Sequence, residues 1–436
     1  MNSVRQESTV TRSESPPSSE GERSAFLCVV HSPIQASVGQ RILLPSDGKP
    51  AVFGRDVNGA GAAIPDRWMS RLHFRVAYDR RGNAFRLGDA NSRNGTWVNG
   101  ERAETQPLNH GDVIRGGDTL FVFEEQNTMA QVKLAASQAA RSPFPILLSG
   151  ETGAGKERMA QFIHAQSQRP GSFVPVNCAV LPRDLLASEF FGHVKGAFSG
   201  AGAPREGLVT RSHEGTLFLD EIGDLPLDQQ PALLRVLQEG TVRPIGSDRE
   251  IKVDLRVIAA TNVDLEQAVR AGRFREDLFG RLAQLILKLP PLRERKTDVL
   301  MIAEQIGSAS KQAFSCDADV AESLLLWDWP RNIRELQSLV HSLNVFSGEP
   351  PFTLKHLLSV ATEVARPLAS RKKVVTLPSE SPPATHPGPN VSRKELQKAL
   401  QEHQGNIAAV SKQLGLHRTQ LYRWLEKYGL DAEEFR

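Results

Sequence analysis

Ile146-Leu-Leu148, followed by Gly150-Glu-Thr-Gly-Ala-Gly-Lys156, decides the fold of the central part of the chain. A short apolar run ends in a glycine-rich turn, and a helical pattern begins at the lysine. Glycines so spaced let backbone N–H groups turn inward around phosphate oxygens, while the lysine reaches the β- and γ-phosphates. Gly150, Glu151, Thr152, Gly153, Ala154, Gly155, Lys156 and Glu157 are therefore the expected nucleotide-binding residues. Glu157 stands where most such loops carry a Ser or Thr for Mg2+. A glycine-rich turn without a ligand is the other reading of these residues alone, but a second element follows at a proper distance. Leu217-Phe-Leu219 ends in Asp220 and Glu221. A buried strand that finishes in two carboxylates is costly unless they meet a cation or a water to be activated. The chemistry assigns Asp220 to Mg2+ and Glu221 to polarising an attacking water, with ATP and Mg2+ as cofactors. A solvated turn after a core strand is the alternative.

Around this stretch, apolar runs such as Arg256-Val-Ile-Ala-Ala260 alternate with helical patterns from about residue 128 onward. That alternation predicts a parallel sheet covered by helices. Residues 296–363 look wholly helical and fit a lid, so the α/β ATPase with its lid is expected over 128–363. Upstream, His73-Phe-Arg-Val-Ala-Tyr78, Phe85-Arg-Leu87, Thr96-Trp-Val98 and Thr119-Leu-Phe-Val-Phe123 alternate with period two between turn signals. They predict an all-β sandwich over 24–126. Residues 1–23 are polar without an apolar core and read as a disordered lead, not a signal peptide. Six prolines fall within 366–390, beside Arg371-Lys-Lys373, so 364–390 reads as a flexible linker. The last block, 391–436, is a small all-α domain. The fold class expected is thus multidomain: all-β, then α/β with a helical lid, then all-α.

Composition narrows the class. The 436 residues are 40% apolar and 24% charged, ordinary for soluble globular protein, and suffice for two to four domains. No apolar run approaches a membrane span, so no membrane partner is expected. Cys28, Cys178 and Cys316 are odd in number and far apart, which fits reduced thiols in the cytoplasm and supplies no metal spacing. A net charge of +3 is too weak to establish a nucleic-acid partner by itself.

Between the two nucleotide elements lies Gly196-Ala197-Phe198-Ser199-Gly200-Ala201, a glycine-framed turn carrying one aromatic. It resembles, with Ser199 for threonine, the GAFTGA loop by which bacterial enhancer-binding proteins of the AAA+ class grip sigma-54. The loop Gly150–Glu157 matches that family's GE(S/T)GxGKE, including its glutamate after the lysine. The resemblance covers about 128–363 and includes Glu189-Phe-Phe-Gly-His193 and Leu289-Pro-Pro-Leu-Arg-Glu-Arg295. It implies that Asn262, ending Arg256-Val-Ile-Ala-Ala-Thr-Asn262, senses the γ-phosphate, and that Asn177 restrains the catalytic glutamate. Arg275 and Arg281 lie roughly 120° apart on a helix, and from spacing alone a surface ion-pair reading stays open. The resemblance makes both of them arginine fingers donated to a neighbouring subunit, hence a ring, a hexamer in the family. Trp329-Pro-Arg-Asn-Ile-Arg-Glu-Leu336 is similar to WPGNxREL and makes Arg334 the sensor II arginine. Arg331 replaces the usual glycine there, and would be strained if the backbone needs positive φ. Serine at 199 keeps the hydroxyl and loses a methyl, which implies retuned engagement of sigma-54.

The flanking blocks carry their own motifs. Gly54-Arg55, Ser70-Arg71-Leu-His73, Asn91-Ser-Arg-Asn94-Gly95-Thr96 and Val98-Asn-Gly100 would each mark only a turn when taken singly. In order, they resemble a forkhead-associated (FHA) phosphothreonine-binding domain. Arg55 and Ser70 would grip phosphate, Asn94 would pin the peptide backbone, Arg71 and Arg93 would help, and His73 would support the loops. The ligand would be a threonine-phosphorylated protein or the chain's own phosphorylated segment, and the sandwich would stand where such activators usually carry a receiver domain. In the last block, Ser392-Arg-Lys-Glu395 reads as a capping box, Asn406 as a second cap and Gly415 as a helix stop. A third helix, about 417–427, would present Arg418, Thr419, Gln420, Arg423 and Lys427. The pattern resembles a Fis-type helix–turn–helix that binds DNA upstream of a promoter. A three-helix dimerisation bundle is the alternative, since the block's charge is only +2, from eight basic and six acidic residues.

Together these readings predict a cytoplasmic activator that remodels sigma-54 RNA polymerase by ATP turnover. Two other readings stay open: a DNA-bound phosphopeptide adaptor or repressor with a vestigial ATPase, and an ATPase that remodels another DNA-bound partner.

Overall fold

The computed structural model describes residues 24–125, 128–180, 183–199, 201–310, 312–375, 393–403 and 406–414, with Leu421, Leu425, Tyr428, Leu430 and Phe435. The chain divides near residue 373 into two compact units.

The first unit opens with the sandwich. One sheet runs, in spatial order, Arg41–Leu44, Ala25–His31, Thr119–Glu124, Val113–Gly116, Thr96–Val98 and Glu101–Ala103. The facing sheet runs Gly61–Ala63, Ala51–Gly54, Phe74–Asp79, Ala84–Asp89 and Thr105–Pro107. Period-two alternation sends Phe53, Phe74, Phe85, Phe121 and Phe123 into the space between them. Phe53 stacks on Phe74 with centroids 4.9 Å apart, and Phe121 meets Phe74 edge-on at 5.4 Å. Burying each such ring is worth about 1.5–3 kcal/mol.

Five parallel strands form the central sheet: Phe173–Asn177, Thr216–Asp220, Arg256–Thr261, Ile146–Ser149 and Leu285–Lys288. Thr216–Leu219 and Arg256–Thr261 are buried throughout, as sheets covered on both faces require. Ile146–Ser149 is the first of these five strands in the chain yet lies between later ones. The connections diverge at its carboxyl end, the place where open α/β sheets bind ligands. The helix Lys156–Ser167 starts there.

The lid follows, with helices Val299–Ala309, Ala318–Leu326, Asn332–Phe346, Leu354–Val360 and Thr362–Val375. The last helix corrects the expected linker start at 364. Val364, Ala365 and Leu368 are buried in the lid core, and that apolar stripe outweighs the hydrogen bond lost at Pro367.

In the second unit, helices Arg393–Glu402 and Ile407–Gln413 bury Leu396, Ala399, Leu400 and Val410 together with Leu421 and Leu425. Asn406 Oδ1 accepts from Ala409 N at 3.4 Å, in the expected capping position. Ser392, Gly415 and the expected DNA-contacting residues Arg418, Thr419, Gln420, Arg423 and Lys427 lie outside the described residues.

Cys28, Cys178 and Cys316 are free thiols. Burial pushes the Cys28 and Cys178 thiols up to about 12, and the Cys316 thiol up as well. Among the described residues no helix is long and apolar enough to cross a membrane.

Candidate nucleotide site and its flanking loops

Residues 150–156 curl over the end of the strand Ile146–Ser149. Gly153 has φ +76°, and a Cβ there would sit 2.4 Å from Arg331 O, so only glycine lets the lid press on this loop. Thr152, Gly153, Gly155, Lys156 and Glu157 line a cavity with Asp220, Glu221, Ile333, Arg334 and Gln337. Lys156 is buried and donates to Gly150 O at 2.9 Å and Glu151 O at 3.3 Å. Its burial depresses its pKa, an effect opposed by Glu221 and Asp220. Gly150, Glu151 and Ala154 complete the loop without lining the cavity. Glu151 pairs with Arg293 at 2.6 Å, and Ala154 O accepts from Arg295.

Glu221 lies in the left-handed region at φ 50°, ψ 50°. Holding a non-glycine residue there costs about 1–3 kcal/mol, a kind of strain that clusters at functional sites. Burial raises its pKa, Lys156 lowers it, Asp220 raises it, and the backbone N–H of Asn262 lowers it by hydrogen bonding. A carboxylate so poised is a better proton acceptor than an ordinary one. Asn262 Nδ2 also donates to Thr152 Oγ1 at 2.8 Å, tying the end of its strand to the phosphate loop. Asn177 Nδ2 lies 3.5 Å from Asp220 Oδ2, the carboxylate next to Glu221 in the chain, while its Oδ1 accepts from Ala179 N. The parallel register pairs Asn177 with Asp220, and so turns it toward the first carboxylate.

Arg275 caps the helix Glu276–Leu282 and is held by Asp277 through bonds of 3.0 and 2.6 Å. Arg281, in its last turn, donates to Leu237 O at 3.2 Å. Neither lines the cavity of its own chain. Arg331 has φ −110° and is unstrained; positive φ falls instead on Trp329 and Asn332, which turn the chain around it.

Sequence reasoning passed over Asn332, Arg293 and Arg295. Asn332 is fully buried and donates to Glu151 Oε2 and Thr152 O, while its Oδ1 accepts from Leu292 N. Ile333 N donates to Gly153 O at 3.0 Å. These bonds fix the lid to the phosphate loop. The available signal was an acid, Glu151, inside the loop with no cation beside it in sequence.

The loop after His193 rises from a hairpin of Gly192–His193 with Arg205–Glu206, braced by the Arg205–Glu189 ion pair. Gly196 N donates to Ala201 O and Ala201 N to Phe198 O, so the turn closes on itself. Ala201 is buried, and Phe198 is 40% exposed with its ring edge-on to His193 at 5.0 Å. Ala197 rests against Gly246 of a neighbouring loop. Ser199 is exposed, and Gly200 lies outside the described residues.

At one end of the sandwich, Arg55, Ser70, Arg71, Arg93 and Asn94 converge. Arg55 N donates to Ser70 O and Asp56 N to Arg71 O, and Ser70 Oγ accepts from Arg93 N at 3.0 Å. Arg55, Arg71, Arg93 and Asn94 are exposed. Asn94 Nδ2 donates to Trp68 O at 2.7 Å. His73 is fully buried, accepts from Ser70 N at Nδ1 and bonds Gly95 O through Nε2. Burial lowers its pKa, so a neutral ring braces both loops, the supporting part expected of it.

Four family models match: Sigma-54 interaction domain over residues 122–288, AAA+ ATPase lid domain over 293–372, FHA domain over 51–117, and Bacterial regulatory protein, Fis family, over 389–428. The chain is 43% identical to Regulatory protein AtoC of Escherichia coli K12, over 69% of this chain and 65% of that one. It is 40% identical to Hydrogenase transcriptional regulatory protein HoxA of Cupriavidus necator, over 85% of this chain and 78% of that one. A crystal structure of NtrX from Brucella abortus in complex with ATP superposes with a TM-score of 0.50 at 28% identity, covering 70% of this chain and 68% of NtrX. The chain belongs to the family of sigma-54-dependent transcriptional regulators, built from an AAA+ domain and a Fis-type helix–turn–helix, and it carries an FHA domain. It spans just under two thirds of AtoC's length.

Proposed function

We propose that this chain is an ATP-hydrolysing transcription activator that binds upstream DNA and remodels sigma-54 RNA polymerase. The observation that carries the reading is that one fold holds two things together. Lys156, Asp220 and Glu221 meet at the strand ends, and Phe198 stands exposed on a closed turn raised from the same domain. The donor set suits a magnesium-bound triphosphate: a buried lysine, a helix N-terminus and two carboxylates. Mg2+ held there by Asp220 would neutralise charge on the triphosphate.

Lys156 and the loop Gly150–Glu157 bind the phosphates, Asp220 holds the cation, and Glu221 takes the proton of the attacking water. Asn262 senses the γ-phosphate, Arg334 serves as the sensor II arginine, and Asn177 restrains the catalytic Glu221. Arg275 and Arg281 act on a neighbour's nucleotide, which requires a ring, a hexamer in this reading. Gly196, Ala197, Phe198, Ser199, Gly200 and Ala201 engage sigma-54. Arg418, Thr419, Gln420, Arg423 and Lys427 contact DNA. The chain works in the cytoplasm.

Phe198→Ala is expected to abolish capture of sigma-54 in the presence of a transition-state nucleotide while leaving basal ATP turnover in place. Ser199→Thr should preserve or strengthen capture. Normal capture by Phe198→Ala in a pull-down would remove the loop from the contact.

The sandwich supplies the input. Arg55, Ser70, Arg71, Arg93 and Asn94 bind a phosphothreonine on a partner or on the chain's own segment, through charge-assisted bonds that a plain hydroxyl cannot make. Calorimetric titration of the full chain with a phosphothreonine peptide should show binding, its unphosphorylated twin none, and Arg55→Ala none with either. Equal affinity for both peptides would make the sandwich a phosphate-independent docking module.

A further inference from the structure

The sandwich strand Thr119–Glu124 is buried on both faces. Phe121 and Phe123 fill the sandwich, whereas Leu120 and Val122, on the opposite face, join Val113 in the core of the lid. Arg115 stands at this seam. Its Nη1 donates to Asp319 Oδ1 and Glu322 Oε2, both at 2.8 Å, and its Nε donates to Gly117 O at 2.9 Å. The side chains are 13% exposed for Arg115, 19% for Asp319 and 1% for Glu322, so these charges meet largely out of water. Thr297 Oγ1 donates to Glu124 Oε1 at 2.8 Å on the same seam.

Asp319 and Glu322 lie on the lid helix Ala318–Leu326. That helix leads to Trp329, fully buried with its Nε1 donating to Leu324 O, and then to Asn332 and Ile333, which bond the phosphate loop. Arg334 follows and faces the nucleotide cavity. The face that in a free-standing sandwich would carry polar residues is apolar here and matched to the lid.

We propose that the sandwich is a clamp on the ATPase lid, and that Arg115, through Asp319 and Glu322, is a positioning residue that sets where the lid holds Arg334 against the nucleotide. Seated against the sandwich in this way, the lid keeps Arg334 at the wall of the nucleotide cavity. It rests on the nucleotide reading of the site and is independent of what the sandwich loops bind. Those loops nevertheless share its bonds. Asp66 Oδ2 accepts from Asp118 N and Thr119 Oγ1, its Oδ1 accepts from Trp68 N, and Trp68 O accepts from Asn94. Asn94 is thus joined to the clamp through Trp68, Asp66 and Asp118, whose Oδ1 accepts from Arg115 Nη2 at 3.4 Å.

The test measures steady-state ATP turnover of the full chain, with thermal unfolding as a check that each variant is folded. Arg115→Met should raise KM for ATP about fivefold or more with kcat little changed, because it weakens a linked equilibrium and leaves the chemical step alone. Arg115→Lys, which keeps the charge, should recover part of that loss. Should Arg115→Met fail to fold, Glu322→Gln decides with the same direction of change. A KM within twofold of wild type in a folded Arg115→Met or Glu322→Gln chain would overturn the clamp. Absence of ATP turnover in the wild-type chain would instead sink the nucleotide reading itself.

Discussion

Glu221→Gln is expected to cut ATP turnover by about 10²–10⁴-fold, the usual contribution of a positioned general base. The substitution keeps the side chain's shape and removes only its capacity to take a proton. ATP affinity should therefore stay nearly intact, because Lys156 and the loop around it are untouched. The left-handed backbone of Glu221 and the bond from Asn262 N–H aim the carboxylate, and burial lifts its pKa from the ordinary value. Lys156→Ala should behave in the opposite way and weaken nucleotide binding itself. Equal turnover in wild type and Glu221→Gln would remove Glu221 from the chemistry.

Arg275→Ala and Arg281→Ala should each lower turnover by about 10³–10⁵-fold if they act as arginine fingers. Within one chain Arg275 is held by Asp277 and Arg281 by Leu237 O, away from the cavity. Mixing Arg275→Ala protomers with Glu221→Gln protomers creates interfaces in which one subunit supplies the finger and the other the base. Turnover should reappear in such mixtures. Mixtures as inactive as either parent would argue for action within one chain or for coupling around the whole ring.

The nucleotide site was legible because its parts are local: a strand, a glycine turn and a lysine lie within eleven residues, and two carboxylates end a second apolar strand. Parallel pairing then brings those strand ends together, as α/β sheets do. The sandwich was legible from alternation, yet alternation hid its second partner. In Thr119-Leu-Phe-Val-Phe123 every residue is apolar except the first, and only tertiary structure shows that Leu120 and Val122 serve the lid. The six prolines within 366–390 suggested a linker by composition, but Val364, Ala365 and Leu368 have a core to enter. Arg331 escapes strain for a reason invisible in the motif, since the positive φ moves to its neighbours Trp329 and Asn332. Asn332 and Arg293 were missed because their partners lie more than 140 residues away, in the phosphate loop.

The most direct test is transcription from a sigma-54 promoter with purified sigma-54 RNA polymerase and the full chain. Wild-type protein should yield transcript with ATP and none with a non-hydrolysable analogue. Glu221→Gln and Phe198→Ala should both fail, the first for lack of turnover and the second despite it. Transcript formed without ATP hydrolysis, or formed normally by Phe198→Ala, would contradict the account.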